Sequence, residues 1–491
     1  MTIWLYWAGI ALYSITVLWV GWRGYKRTEV QNTSEFWAAG RSLNAWSVGL
    51  SISASFMSIS WSCVYAVQLV YWYGISSVWL LAIPWLLVMA IFWFLTPTFR
   101  RLPAFSQPEM VAQRFGQDVR KYLAVPLAFV FLVWGGAEIY AAAKILTPIL
   151  KLPFHVILAF IALVVAVYSY MGGFGAVVST DKIQFALVAF FITSIAYVAG
   201  NAVTTDATLW QVASSLSSPP MTQKPALQLW AAGPALVLIT LVAYLPGWVI
   251  ETDIWLRLQA ARSDRFARRG LLIASVNSLL FIGIFPLVIG LSALYLYPPA
   301  GAEIPAILND GAAIFSVFIN QHAPPTLALL LIVGLAAASM STIDTCGNVV
   351  ALSLSYDLLE PYLKRTKRGF SRQKVARWTS AGAVFMAYVY ALFTTSLWDI
   401  FYLSSGILTT TIFLPMLALL SRTCQPGQIK AATTVGFIAT IGFYFVEKSG
   451  LMKTLQPHWL SETGLGYIVW ALLVSVLAYW LARKRRTIEG N

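Results

Sequence analysis

The sequence predicts an all-α polytopic membrane protein that crosses the bilayer about 13 times. Three observations carry that prediction. Hydrophobic residues make up 59% of the 491-residue chain and charged residues 11%, and the mean hydropathy is +0.73, a balance outside the range of water-soluble domains. The apolar residues gather into runs of ~20, the length that spans a hydrocarbon core. The basic residues alternate from loop to loop, and 28 of the 33 Lys and Arg fall on one side, as they do on the cytoplasmic face of membrane proteins.

The runs centre on 3–22, 45–70, 76–97, 121–148, 153–171, 181–200, 229–252, 270–296, 327–358, 377–395, 399–420, 430–447 and 464–482. No basic residue precedes the first, and Arg23, Lys26 and Arg27 follow it, the reverse of a cleaved signal peptide. It reads as an uncleaved helix entering from outside. The cytoplasmic loops then hold Arg100 to Lys121, Arg257 to Arg269, Lys364 to Arg377 and the Arg483-Lys484-Arg485-Arg486 tail. Only Lys144, Lys151, Lys224, Lys448 and Lys453 face the other way. This partition places the N-terminus outside and the C-terminus in the cytoplasm.

Polar residues interrupt several runs. In the second, Ser51 to Ser60 alternates serine with apolar residues, a strand-like period where a helix is required. A helix broken at membrane depth, its carbonyls open to a cation, reconciles the two; a serine-rich packing face is the alternative. In the fourth, Lys144 is placed to snorkel outwards, while Glu138 needs a partner, Lys144 among them, or a water-filled cavity. Gly172 and Gly173 allow a tight turn before Asp181, which either caps the sixth run or serves a site. At the inner end of the seventh, Glu251, Asp253 and Arg257 read most simply as interface residues pairing with one another.

The outer connections at 201–228 and 297–326 are too short for an independent core, and Leu308 to Ile319 fits a short interfacial helix. In the ninth run, Ala338, Ser341, Thr342 and Thr345 repeat at helical spacing on one face. Asp344 lies one turn past Ser341. Such oxygens suit a hard cation or close helix packing, and an acid inside a span favours function.

The net charge of +14 lies in topology-setting loops rather than a patch, so nucleic acid is not an expected partner. Cys63, Cys346 and Cys424 form neither a disulfide framework nor a zinc site. The three His have no metal-ligand spacing, and no hydrolase, nucleotide-binding or metalloprotease motif is present. An enzyme is not expected, nor a transition metal, an organic cofactor or an obligate protein partner.

Three stretches, in this order, resemble the sodium/solute symporter family, relatives of the proline, pantothenate, sialic acid and sugar sodium-cotransporters. They are Glu35-Phe36-Trp37-Ala38-Ala39-Gly40-Arg41-Ser42-Leu43, Met171-Gly172-Gly173 with Thr180-Asp181-Lys182-Ile183-Gln184, and Ala336 to Thr345. The resemblance implies a LeuT-type core of two inverted five-helix repeats within a single transporter domain, 1–491. In it, 1–44 is a leading helix and cytoplasmic loop, 45–200 the first repeat, 229–421 the second, and 422–491 two C-terminal helices and a basic tail. It implies a sodium site at the carbonyls of Ala54, Met57 and Ala338 and the hydroxyls of Ser341 and Thr342. A second ion site maps to Asp181, Ser341, Asp344 and Thr345, where two carboxylates either bind sodium or share a proton.

The substrate pocket maps to Phe56, Ser58, Trp61, Trp134 and Glu138. Trp134 stands where sialic acid transporters carry an arginine. An aromatic pocket with an acid and no arginine suits an amine, a cation or a flat neutral ring. The implied function is a sodium-coupled symporter of the cytoplasmic membrane, importing a small organic solute by alternating access with Na+ as coupling ion. A proton-coupled symporter using Asp181 and Asp344, or a non-transporting solute sensor, are the alternatives.

Overall fold

Each apolar run coincides with a helix or a broken pair of helices in the computed structural model, which describes residues 2–28, 41–101, 104, 106–171, 174–204, 208–362, 372–419 and 423–483. The main helices of the first half are α1 (Thr2–Thr28), α2 (Ala45–Phe56), α3 (Ala66–Tyr73), α4 (Ala82–Arg100), α5 (Gln107–Phe115), α6 (Gln117–Leu150), α7 (Phe154–Met171) and α8 (Phe174–Thr204). The second half has α9 (Pro234–Trp248), α10 (Thr252–Ala260), α11 (Asp264–Ser278), α12 (Phe285–Leu296), α13 (Ile314–His322), α14 (Pro325–Ala351), α15 (Arg372–Leu392), α16 (Leu397–Leu408), α17 (Leu414–Ala418), α18 (Pro426–Lys448) and α19 (Gly466–Leu481). Among the described residues the only β-pairing is two isolated bridges, Leu43 with Ala261 and Ala300 with Glu303. The Glu35–Gly40 stretch, Gly172, Gly173 and the tail from Lys484 lie outside the described residues.

By length and hydropathy, eight described helices cross a membrane, or ten if each of two bent pairs counts as one span. The expected 13 exceeds this measure for identifiable reasons. Trp4–Trp19 and Gly466–Leu481 are shorter apolar helices, and α15 begins with Arg372, Lys374 and Arg377. The two bends are a 61° turn between Ala45–Phe56 and Ile59–Trp79, and a 41° turn between Pro234–Trp248 and Thr252–Ala260. The interfacial helix expected at Leu308–Ile319 starts only at Ile314. Asn309, Asp310 and Gly311 take φ of 44°, 59° and 87°, left-handed values that no α-helix continues through.

The central layer is α14, which packs against α6, α8 and α1. The bent pair begun by α2 lies against α8 and α11. Small residues let these helices approach, as they must where lipid supplies no hydrophobic drive to association. A Cβ on Gly270 would stand 2.7 Å from Val48 Cγ1, and one on Gly49 would stand 2.8 Å from the Gly270 carbonyl oxygen. Gly270→Val is therefore expected to lower the melting temperature of the detergent-purified protein, overpacking of this kind costing about 1–3 kcal/mol. Gly382→Ala, where nothing lies within 4 Å, is the control expected to melt like the parent.

At the end of the bundle that carries the basic loops, polar side chains tie helices together. Arg120 Nε and Ser106 Oγ both donate to Asp357 Oδ1 at 2.7 Å. Thr252 Oγ1 donates to Gln107 Oε1 at 2.8 Å, joining α10 to α5. Both bends lie deeper, next to α14.

Candidate functional site

The first bend is built by moving three backbone donors off the helix ladder. In a continuous helix the N–H groups of Ile59, Ser60 and Trp61 would bond the carbonyls of Ser55, Phe56 and Met57. Instead Glu138 on α6 accepts from Ile59 N at 2.6 Å, Ser60 N at 2.9 Å and Ser60 Oγ at 2.6 Å. Trp61 N donates to Ser58 Oγ at 2.9 Å. The fully buried carboxylate thus caps the new helix start, where the backbone dipole favours negative charge. The chain resumes as a π-helical turn, Ile59–Tyr65, a form that concentrates at functional sites. The other side of the break ends at Met57, whose N–H still bonds Ser53 O at 2.9 Å.

Across from the released carbonyls stands the hydroxyl face of α14. Thr342 Oγ1 lies 3.4 Å from both Ser55 O and Ala338 O. Ala54, Met57, Ala338 and Ser341 are all buried. Ser341 Oγ turns to Asp181 Oδ1 at 3.0 Å. Thr342 therefore joins the bend to α14 at the carbonyls of Ser55 and Ala338, 283 positions apart in the sequence, with Ala54 and Met57 flanking the bend on the Ser55 side. The serines of α2 divide by face. Ser51 and Ser55 point at the acids, donating to Asp181 Oδ2 and Asp253 Oδ2 at 2.5 Å each, while Ser53 accepts from Asn277 Nδ2 at 2.9 Å.

The second expected ion site is arranged differently from the sequence reading. Its centre holds the Arg257 guanidinium, fully buried rather than in a cytoplasmic loop. Arg257 donates to Ser51 Oγ at 2.8 Å, to Asp181 Oδ2 and Thr345 Oγ1 at 3.2 Å each, and to Asp253 Oδ2 at 3.5 Å. Asp344 turns towards α7, where Ser169 Oγ donates to its Oδ1 at 2.9 Å. The structure thus brings Asp181, Ser341 and Thr345 together around a cation that the chain itself supplies. Interface pairing of Arg257 with Asp253 does occur, but at depth and shared with Asp181.

Beside these groups is a cavity whose empty space, open mouth included, is about 520 Å³. Its aromatic walls are Phe56, Trp61, Trp85, Phe131, Trp134, Trp248 and Phe401. Its polar lining includes Ser58, Glu251, Asp253, Thr342 and Thr345. Of the expected pocket residues, Phe56, Ser58, Trp61 and Trp134 are here. Glu138 is not among the lining residues, because its oxygens face the backbone of the bend, and it forms no described ion pair with Lys144. Trp134 is held by a 2.6 Å bond from Nε1 to Ser404 Oγ.

A layer of rings covers one side of the cavity. Trp61 packs on Phe401 and Trp248 with centroids 4.6 and 5.1 Å apart. Tyr244 stacks between Trp248 and Tyr402 at 4.1 and 4.8 Å, and the Tyr65 and Tyr244 hydroxyls lie 3.2 Å apart.

Sequence reasoning missed the second bend and the roles of Glu251, Asp253 and Arg257. The signal was available in Pro246-Gly247 followed by Glu251-Thr252-Asp253, which interrupts an apolar run as the serines interrupt the second.

Comparison with known proteins agrees with this architecture. Residues 36–421 match the model of the sodium:solute symporter family. The chain is 26% identical to the sodium/sialic acid symporter of Proteus mirabilis over 87% of each chain. It is 28% identical to the sodium/glucose cotransporter of Vibrio parahaemolyticus, over 75% of this chain and 70% of that one. It is 26% identical to the sodium/proline symporter 2 of Staphylococcus saprophyticus, over 71% and 67%. Among solved structures, a substrate-bound, outward-open Na+-coupled sialic acid symporter superposes with a TM-score of 0.74 over 98% of each chain at 20% identity. Mhp1, a nucleobase-cation-symport-1 family transporter in a closed conformation, does so with a TM-score of 0.53 at 16% identity, over 92% of this chain and 96% of that one.

Proposed function

The chain belongs to the sodium:solute symporter family, and from that premise we propose that sodium binds at the bend after α2 while the solute occupies the adjoining aromatic cavity. The chain is a multi-pass, sodium-coupled membrane symporter with Na+ as its coupling ion, and its fold is that of the LeuT-type transporters. The relatives named above are symporters of sialic acid, glucose and proline. Those named above are sodium-coupled, which leaves neither proton coupling nor a non-transporting sensor with support.

One observation carries the site assignment. Glu138 and Ser58 take the N–H groups of residues 59 to 61, which frees carbonyls at the bend, that of Ser55 lying 3.4 Å from Thr342 Oγ1. A small hard cation is stabilised by such oxygens. We assign the site to the carbonyls of Ala54, Met57 and Ala338 and the hydroxyls of Ser341 and Thr342. A second ion at Asp181, Ser341, Asp344 and Thr345 would share its space with the Arg257 guanidinium, so the reading centres on the first site.

The domain division rests on the two bends, which fall at the first helix of 45–200 and of 229–421. Coupling needs sodium and solute each to favour one state of the bundle over another. The cell membrane is the setting, with the N-terminus outside and C-terminus inside by the partition of basic residues.

Sodium binding is read directly as ligand stabilisation. Na+, compared with K+ at equal ionic strength, is expected to raise the melting temperature of the purified protein. Ser341→Ala and Thr342→Ala are each expected to remove at least half of that rise. Retention of the full rise in both variants counts against the site. Proteoliposomes loaded without sodium and diluted into it are expected to accumulate solute only under the inward gradient.

A further inference from the structure

We propose that the transported solute is a small organic cation bearing N–H donors, a protonated amine, amidine or guanidine on an aromatic or apolar body, held by the carboxylates of Glu251 and Asp253. The proposal rests on the reading of the aromatic cavity as the solute site.

Three atoms in the cavity lining are buried and take no hydrogen bond from another helix, Glu251 Oε2, Asp253 Oδ1 and Trp61 Nε1, the two carboxyls lying within hydrogen-bond reach of each other and Asp253 of the Ile254 N–H. Glu251 is 4% exposed and Asp253 2%. A buried acceptor is stable only when it is bonded, and a buried carboxylate more so. The second oxygen of Asp253 is taken by protein donors. Asp253 Oδ2 is already engaged by Ser55 and Arg257, and Arg257 is directed at Asp181, Thr345 and Ser51 as well.

The formal charges point the same way. One guanidinium stands among the three carboxylates of Asp181, Glu251 and Asp253, and no Lys or Arg lines the cavity. Glu251 feels the charge of Asp253, and the two carboxyls are within hydrogen-bond reach of each other. If they share one proton, the pair still carries a negative charge. A carboxylate solute would meet that charge with only neutral donors, the Trp61 indole and the lining hydroxyls, and no cation in the lining to receive it. An ammonium meets it favourably, and the seven aromatic walls attract a cation on their faces.

Aromatic attraction and hydrogen bonding separate the candidates. A quaternary ammonium satisfies the rings but offers nothing to Glu251 Oε2 or Asp253 Oδ1. An N–H cation satisfies both. The bend is what brings the acids here: Glu251 and Asp253 straddle the start of α10, where the 41° turn aims the chain at α2.

The test uses the full-length purified protein in saturating Na+ and measures melting temperature against probe concentration. The probes are 2-phenylethylamine and benzamidine, with benzamide, benzoate and trimethylphenylammonium as neutral, anionic and donor-free counterparts. The two N–H cations are expected to stabilise at concentrations at least tenfold below any counterpart. Glu251→Gln, which keeps the shape, is expected to weaken their effect at least tenfold. Asp253→Asn is expected to do the same with a lower starting stability.

Equal stabilisation by benzamide, benzoate or trimethylphenylammonium overturns the proposal, as does an unchanged response in Glu251→Gln. No response to either N–H cation, while Na+ alone still stabilises, overturns it and leaves sodium-coupled symport standing. Failure of Na+ to stabilise the parent protein counts instead against the sodium site.

Discussion

Glu138→Ala is expected to abolish sodium-dependent stabilisation and sodium-driven uptake. The side chain is not itself part of the cavity lining and reaches the site through Ile59 and Ser60, so the effect is carried mainly through the backbone of the bend. Its removal strands the N–H groups of Ile59 and Ser60 at membrane depth, each unsatisfied buried donor costing roughly 1–3 kcal/mol. The chain relieves that cost by returning the N–H groups to Ser55 and Phe56, which closes the bend and takes carbonyls away from the ion. The melting temperature is expected to fall in K+ as well as in Na+, with the difference between the two disappearing. Glu138→Gln keeps one acceptor oxygen and is expected to retain part of that difference. A Glu138→Ala protein whose Na+ response matches the parent's would refute the role.

Arg257→Gln is the second large effect. The guanidinium bonds Asp181, Asp253, Ser51 and Thr345 with essentially no exposure. Removing one member of a buried ion pair costs about 3–5 kcal/mol, because the partner is left charged and uncompensated. The single variant is therefore expected to be poorly recovered and to melt far below the parent. Arg257→Gln with Asp181→Asn removes both charges and is expected to regain a large share of the loss. Additive damage in the double variant would show that the two side chains are not coupled.

The sequence was most informative where chemistry and local pattern coincide. Ser341 and Thr342 stand out because hydroxyls at helical spacing inside a long apolar run are visible without a partner. The serines of α2 pointed to a break for a related reason, although the helix persists through Ser53 and opens only after Met57. Where the structure departs from the sequence reading, the cause is a partner distant in the chain. Glu138 looked like a pocket acid, but it bonds Ile59, 79 residues away. Asp253 looked like an interface residue, but it accepts from Ser55 across 198 residues. Arg257 counted as a topology signal, because a charge shortly after an apolar run has the same signature whether it lies in solvent or folds back into the bundle.

By itself the sequence determined the class of the protein, its membrane setting, its family and the hydroxyl face of α14. Those properties follow from composition, run length and short motifs, each set by residues near one another in the chain. Only the tertiary structure decided which carboxylate does what. Glu138 shapes the bend, Asp181 balances Arg257, and Glu251 with Asp253 lines the cavity. A buried carboxylate takes its role from the donors that reach it, and in this bundle those donors come from helices far apart in sequence.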